Sequence, residues 1–317
     1  MRTALIGITL FALTACAQAE TQSVETPVDP NSVAGDFRGI TGAVERFTVT
    51  SSRVTTRDVE VWLPPSYASN PDRHYPVLYM HDGQNLFDPE QSKYAKWDWG
   101  IDEALSALII DKRVPEVIVV GIHSDEATRN FDYFPQKAGG DHAEVFRRDF
   151  GEFDSAGLNA DNYLDFLVTE IKPRIDVTYR TQPERDETFV MGSSMGGLIS
   201  LYAISEYPEI FGGAGMVSSH FPLADGVLVD YFATRLPDPS THRLYFDFGT
   251  ETLDHNYESY QDRMDQAVEA TGYTRGVNWT TRKYEGHDHS ERAWRNRVHV
   301  PLQFLLNKSS VPGGEER

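Results

Sequence analysis

The chain of 317 residues carries 29 lysines and arginines against 48 aspartates and glutamates, a net charge of −19. That length, with a hydrophobic fraction of 40 %, suits one large or two small packed domains and excludes a disordered or collagen-like chain. Such an acidic balance argues against nucleic acid as a partner, because phosphates are bound by basic side chains, and the single cysteine, Cys16, rules out an internal disulfide framework or a cysteine zinc finger.

In chain order, the first feature is Met1-Arg2-Thr3 followed by an uncharged, largely apolar run from Ala4 to Ala15. About twelve residues fall short of a hydrocarbon core of ~30 Å but match the apolar region of a signal peptide. Residues 1–19 are therefore expected to direct export. Two exits fit: Ala17-Gln18-Ala19 as a cleavage site for a secreted protein, or Leu13-Thr14-Ala15-Cys16, which resembles a bacterial lipobox. In the second case cleavage precedes Cys16, whose lipid attaches the protein to a membrane, giving a periplasmic or outer-membrane lipoprotein. Residues 20–38 read as a polar, flexible tether, residues 39–306 as one folded domain, and residues 307–317 as a polar tail.

Glu45–Thr50 and Val59–Leu63 alternate as half-buried strands do, before Pro64-Pro65 breaks the pattern. Tyr75–Met80 and Val117–Ile122 are continuous apolar runs, as in strands buried on both faces. Thr188–Met191 and Arg243–Asp247 read as two more strands. Between them, Leu164, Leu167, Val168, Ile171 and Ile175 share one helical face, and Leu198, Leu201, Tyr202 and Ser205 repeat helically after Gly197. Strands alternating with helices predict an α/β fold with a mostly parallel central sheet, helices on both faces, and antiparallel strands at its N-terminal side.

Gly192-Ser193-Ser194-Met195-Gly196 is a G-x-S-x-G motif between an apolar run and a helical repeat. That context suits a tight strand-to-helix turn, which presents the Ser194 hydroxyl above the sheet and the Met195 backbone N–H as an oxyanion donor. The competing reading is a glycine turn that packs helix on sheet. A serine nucleophile needs a histidine base and an orienting carboxylate, in the order Ser, acid, His for this kind of sheet. Glu251 and Asp254 follow the strand that ends at Asp247, and His287 and His289 lie on a later post-strand loop. His-x-His could alternatively hold a metal, but the segment supplies no clear further ligands, so no metal is expected. In Met80-His81-Asp82-Gly83-Gln84 the glycine allows a sharp turn, which nominates the Gln84 backbone N–H as the second oxyanion donor, against a simple Asp-Gly turn.

Four segments resemble the putative-esterase family of α/β-hydrolases: 78–88, 119–122, 192–197 and 289–294. The family includes enterochelin-esterase-like proteins, feruloyl esterases and S-formylglutathione hydrolase. The resemblance implies the α/β-hydrolase fold and a cofactor-free serine esterase acting on a small-molecule or glycan-borne ester through an acyl-enzyme. It makes Ser194 the nucleophile and selects His289, which lies five residues before Trp294. It puts the acid within a few residues of Gly249-Thr250, with Asp254 preferred and Glu251 the alternative. Arg129, Tyr133 and Trp97 resemble positions near the family's substrate groove. An acyltransferase would use the same residues, and a non-catalytic binding module could share the fold.

Overall fold

The computed structural model describes residues 40–92, 96–139 and 157–307. The signal segment with Cys16, the tether and all of the tail beyond Asn307 lie outside them. The described strands are β1 (Ala43–Val49), β2 (Arg57–Leu63), β3 (Val77–His81), β4 (Ile118–Ile122), β5 (Thr188–Ser193), β6 (Gly213–Val217), β7 (Arg243–Gly249) and β8 (Trp279–Tyr284). They form one sheet in the order β1-β2-β4-β3-β5-β6-β7-β8. β1 and β2 pair antiparallel with each other, and β2 pairs antiparallel with β4. From β4 to β8 every pairing is parallel. The chain is thus an α/β-hydrolase fold with N-terminal antiparallel strands.

The described helices are α1 (Ile101–Ile110), α2 (Arg129–Tyr133), α3 (Ala160–Phe166), α4 (Lys172–Thr178), α5 (Met195–Glu206), α6 (Val227–Phe232), α7 (Glu258–Ala270), α8 (Glu291–Arg297) and α9 (His299–Leu306). No described helix is long and apolar enough to cross a membrane. Alternation along the buried strands splits the core into two layers. Val77 and Tyr79 point to one face, with Leu164, Ile171, Leu198 and Leu201 from α3, the following turn and α5. Leu78 and Met80 point to the other, with Leu105 of α1 and Leu302 and Leu305 of α9. Helices therefore cover both faces, as the βαβ alternation requires.

The helical face from Leu164 to Ile175 is one periodic pattern in the sequence and one continuous helical run in the structure, but its hydrogen bonding changes partway. Between α3 and α4, residues Leu167–Ile171 form a π-helical turn. It lies just before Pro173, which has no N–H to return to the preceding turn and so forces a local change of hydrogen bonding.

Candidate active site

Parallel strands put their carboxyl ends on one edge, and the loops that leave β3, β5, β6 and β7 there carry Asp82, Ser194, Ser218 and Thr252. All four have positive φ, at 57°, 56°, 42° and 54° respectively, although none is glycine. Strained backbone of this kind, costing about 1–3 kcal/mol per residue, persists only where the surroundings enforce it and is typical of functional sites.

Ser194 occupies the turn between β5 and α5 with φ 56° and ψ −120°. Its N–H donates to Val217 O at 2.9 Å, tying the turn to the end of β6. A Cβ at Gly192 would lie 2.6 Å from the Gly196 carbonyl oxygen, so only glycine lets β5 and α5 meet this closely. Met195 is the first residue of α5, where N–H groups have no partner within the helix and the helix dipole favours negative charge.

After β3, the segment Gly83–Asn85 makes a 3-10 turn. Asn85 and Leu86 spend their N–H groups on the carbonyls of Asp82 and Gly83 at 2.9 and 3.3 Å; the Gln84 N–H precedes the first of these bonds. The turn lies flush on β4, since a Cβ at Gly83 would come within 2.4 Å of the Gly121 carbonyl carbon. The Gln84 side chain is clamped in the loop after β4, donating to Ser124 Oγ at 2.8 Å and accepting from Ser124 N at 3.0 Å. The same turn borders the serine turn: a Cβ on Gly196 would be 3.4 Å from Asp82 Oδ2. Arg129 grips the Asp82 carboxylate with two bonds of 2.8 Å, and its guanidinium stacks on Tyr133. Burial raises the Asp82 pKa, yet Arg129 prevails and holds the carboxyl below its ordinary range. His81 is buried with Nδ1 2.7 Å from Tyr163 OH, and burial lowers its pKa to about 3, so its ring stays neutral. Trp97 is half-buried.

Across the edge, Asp254 is fully buried on the turn after β7. Its Oδ1 lies 2.6 Å from His289 Nδ1, while Oδ2 accepts from Ser218 Oγ and the Gly249 N–H, both at 2.6 Å. Burial pushes the carboxyl up, but His289, Ser218 and the Gly249 N–H outweigh it and keep Asp254 below the usual carboxylate pKa. His289 is fixed by its N–H to Thr252 Oγ1 at 2.9 Å and by the edge-on ring of Trp294, 5.0 Å away. Ser290 caps α8, accepting from Ala293 N.

The two alternatives behave differently. His287 stacks on Tyr284, takes a bond from Arg297 at Nδ1 (3.2 Å), and offers its carbonyl to the N–H groups of Thr250 and Glu251 at 3.0 Å each. Burial, then the Arg297 charge, lowers its pKa. Glu251 has an exposed side chain. The carboxylate brought to a histidine is thus Asp254, and the histidine is His289.

Sequence reasoning missed the groups behind this pair. Ser218 touches Asp254, Trp294 and Arg297, and the buried Arg297 pairs with the buried Asp247 at 3.0 Å. Glu291 is also buried, receives a long contact from Asn85 at 3.4 Å, and is pushed by burial up to about pKa 7. A serine after β6 and an arginine on α8 match no motif, so only packing identifies them. Asp98, Asp102 and Glu103 form a cluster with metal-ligand spacing among the described residues, but Arg295 pairs with Asp98 and, at 2.9 Å, with Glu103.

Comparison with known proteins gives the chain's family and supports its fold. The sequence profile of the Esterase family, described as "Putative esterase", matches residues 51–305. The uncharacterized protein YbbA of Bacillus subtilis is 24 % identical over 204 residues, covering 64 % of this chain and 72 % of YbbA. The apo-salmochelin esterase of Escherichia coli O6:H1 is 27 % identical over 152 residues, 46 % of this chain and 42 % of that enzyme. Among solved structures, a ferulic acid esterase superposes with a TM-score of 0.60 at 19 % identity, covering 84 % of this chain and 98 % of its own.

Proposed function

Because the chain belongs to the Esterase family of ester-bond hydrolases, we propose that it cleaves a carboxylic ester by a Ser194–His289–Asp254 triad through an acyl-enzyme. The observation that carries the reading is the serine turn. Ser194 has a strained backbone, a glycine-only contact beneath it, and a helix N-terminus beside it. The 2.6 Å bond between Asp254 and His289 supports the second half of the proposal.

In this mechanism Asp254 accepts the Nδ1–H of His289, which leaves Nε2 as the base. Nε2 takes the Ser194 proton as Oγ attacks the ester carbonyl. The N–H groups of Met195 and Gln84 receive the developing oxyanion, a type of donor worth ~3 kcal/mol each. His289 then protonates the leaving alcohol. A water attacks the acyl-enzyme, with His289 again as base. No step calls for a cofactor. The proposal extends to compartment: the N-terminal segment exports the protein, and Cys16 or the Ala17-Gln18-Ala19 site ends it.

Hydrolysis of a panel of p-nitrophenyl esters by wild type and Ser194→Ala tests the reaction. The variant is expected to lose at least ~10³-fold in kcat while remaining folded, and a fluorophosphonate is expected to label Ser194. Background rates for the wild type on every ester, or undiminished activity in Ser194→Ala, would overturn it. Transfer to added alcohols exceeding hydrolysis would recast it as an acyltransferase.

A further inference from the structure

Ser218 follows β6 in a left-handed conformation, with its side chain wholly buried. Its Oγ is 2.6 Å from Asp254 Oδ2, 3.1 Å from Trp294 Nε1 and 2.8 Å from Arg297 Nη2. An indole N–H and a guanidinium can only donate, and a hydroxyl has two lone pairs and one proton. Trp294 and Arg297 therefore fill both lone pairs. The one remaining direction for the proton is Asp254 Oδ2. The hydroxyl is thus oriented by its neighbours, without any freedom to rotate.

Arg297 is itself held. Its Nη2 also donates to Asp247 Oδ1 at 3.0 Å, and its Nη1 to His287 Nδ1 at 3.2 Å. Asp247 in turn accepts from Tyr245 OH at 3.0 Å. A buried ion pair of this kind is weak evidence for stability, since desolvation offsets much of its attraction. Its geometric consequence is clearer. The pair sets the guanidinium, the guanidinium sets the Ser218 hydroxyl, and the hydroxyl joins the Gly249 N–H in saturating Oδ2. That fixes the plane of the carboxylate and turns Oδ1 toward His289.

We propose that Ser218 is a positioning residue for ester cleavage, its hydroxyl aimed by the buried Asp247–Arg297 pair so that Asp254 presents a single oxygen to His289. The inference rests on the triad reading above, and its test includes a readout that needs no turnover. Ser218→Gly removes the hydroxyl while tolerating the positive φ. Arg297→Lys keeps a cation for Asp247 but loses the planar fork that reaches Ser218, Asp247 and His287 together. In Ser218→Gly, kcat is expected to fall about 10-fold with KM within about twofold, in line with loss of one hydrogen bond to a charged group. The low-field proton resonance of His289 Nδ1–H, assigned by its absence in His289→Gln, is expected to be sharp in the wild type and lost to exchange in Ser218→Gly. Arg297→Lys is expected to broaden the same resonance and to lower kcat by a smaller factor. Unchanged resonance and unchanged kcat in a folded Ser218→Gly would overturn the proposal, as would an unchanged resonance in a folded Arg297→Lys. If Ser194→Ala retained the activity while the resonance still depended on Ser218, the triad reading would fail and the relay would stand.

Discussion

In the proposed triad, the serine side is assembled within a few residues of chain, whereas the acid–base side is gathered from across the domain. Gly192, Ser194, Met195 and Gly196 are near neighbours, and their geometry follows from backbone contact: a turn, a helix start and a carbonyl that leaves no room for a Cβ. Asp254 and His289 are 35 positions apart. They meet through side chains from the loop after β6, from β7 and from α8, namely Ser218, Asp247, Trp294 and Arg297. Backbone packing fails abruptly, because a carbonyl cannot rotate aside. A side-chain network fails by degrees, because each donor can be removed alone. Substitutions on the two sides should therefore differ in kind as well as size.

The largest effect is expected at Asp254→Asn. Oδ2 faces two donors, Ser218 Oγ and Gly249 N, so the amide must put its oxygen there and its NH₂ toward His289. Nδ1 then has to accept, which moves the ring proton to Nε2, where a base is needed. A kcat loss of ~10³–10⁴ with the fold retained is expected, measured by ester hydrolysis alongside a thermal melt. Gly192→Ala tests the other side. Its Cβ, 2.6 Å from a backbone oxygen, must push α5 away from β5. Overpacking of this sort costs about 1–3 kcal/mol of stability, and displacing Ser194 by ~1 Å costs roughly 100-fold in kcat. Here Tm and kcat should fall together, whereas Asp254→Asn should lower kcat alone. Equal Tm losses in the two variants would erase the distinction.

This contrast also explains what could be read in the sequence. β3, β4, β5 and β7 are apolar runs, and Ser194 sits in a contiguous motif; both are local signals. β6, Gly-Ala-Gly-Met-Val, escaped notice because it is buried on both faces yet three of its five residues are glycine or alanine, too small to make an apolar run. A Cβ at Gly215 would lie 2.7 Å from Met191 Cγ and 3.2 Å from Leu305 Cδ1, so neighbouring side chains occupy the space that a strand usually fills for itself. Asp254 and His289 were visible as residue types in the right order, yet their pairing depends on the fold. Ser218 and Arg297 carried no signal at all, since an arginine is ordinarily a surface residue until a buried carboxylate such as Asp247 receives it.

Glu291 lies on the seam between the two sides, two residues beyond His289 and in contact with Asn85 of the Gly83–Asn85 turn. Burial lifts its pKa from 4.5 to about 7. The native state thus holds a proton that the unfolded chain releases, and stability falls as pH rises from about 4.5 to about 7. Glu291→Gln removes that fall. Relative to wild type it should gain stability with rising pH, by no more than ~3 kcal/mol above pH 7, read as the difference in Tm between pH 5 and pH 8. His81, neutral in the fold because burial lowers its pKa to about 3, works in the opposite sense and costs stability below about pH 6.5 in both proteins. A pH-independent difference between the two melts would show that Glu291 is ionised throughout.

The smallest effect is expected at Glu251→Gln, and it bears directly on which carboxylate serves the base. Glu251 lies three residues before Asp254 on the same loop, so composition alone does not separate them. Its contribution to the site is made by the main chain: the N–H donates to His287 O at 3.0 Å, and its carbonyl accepts from Asp254 N at 3.1 Å. Both bonds survive a change of side chain. The carboxylate itself is exposed, where solvent screens its charge from His289. The variant should therefore keep kcat within about twofold and leave Tm unmoved, as most exposed substitutions do. A kcat loss approaching that of Asp254→Asn would mean that Glu251 reaches the histidine during turnover. The acid–base side would then be a loop that rearranges, rather than a network held in place by Ser218 and Arg297.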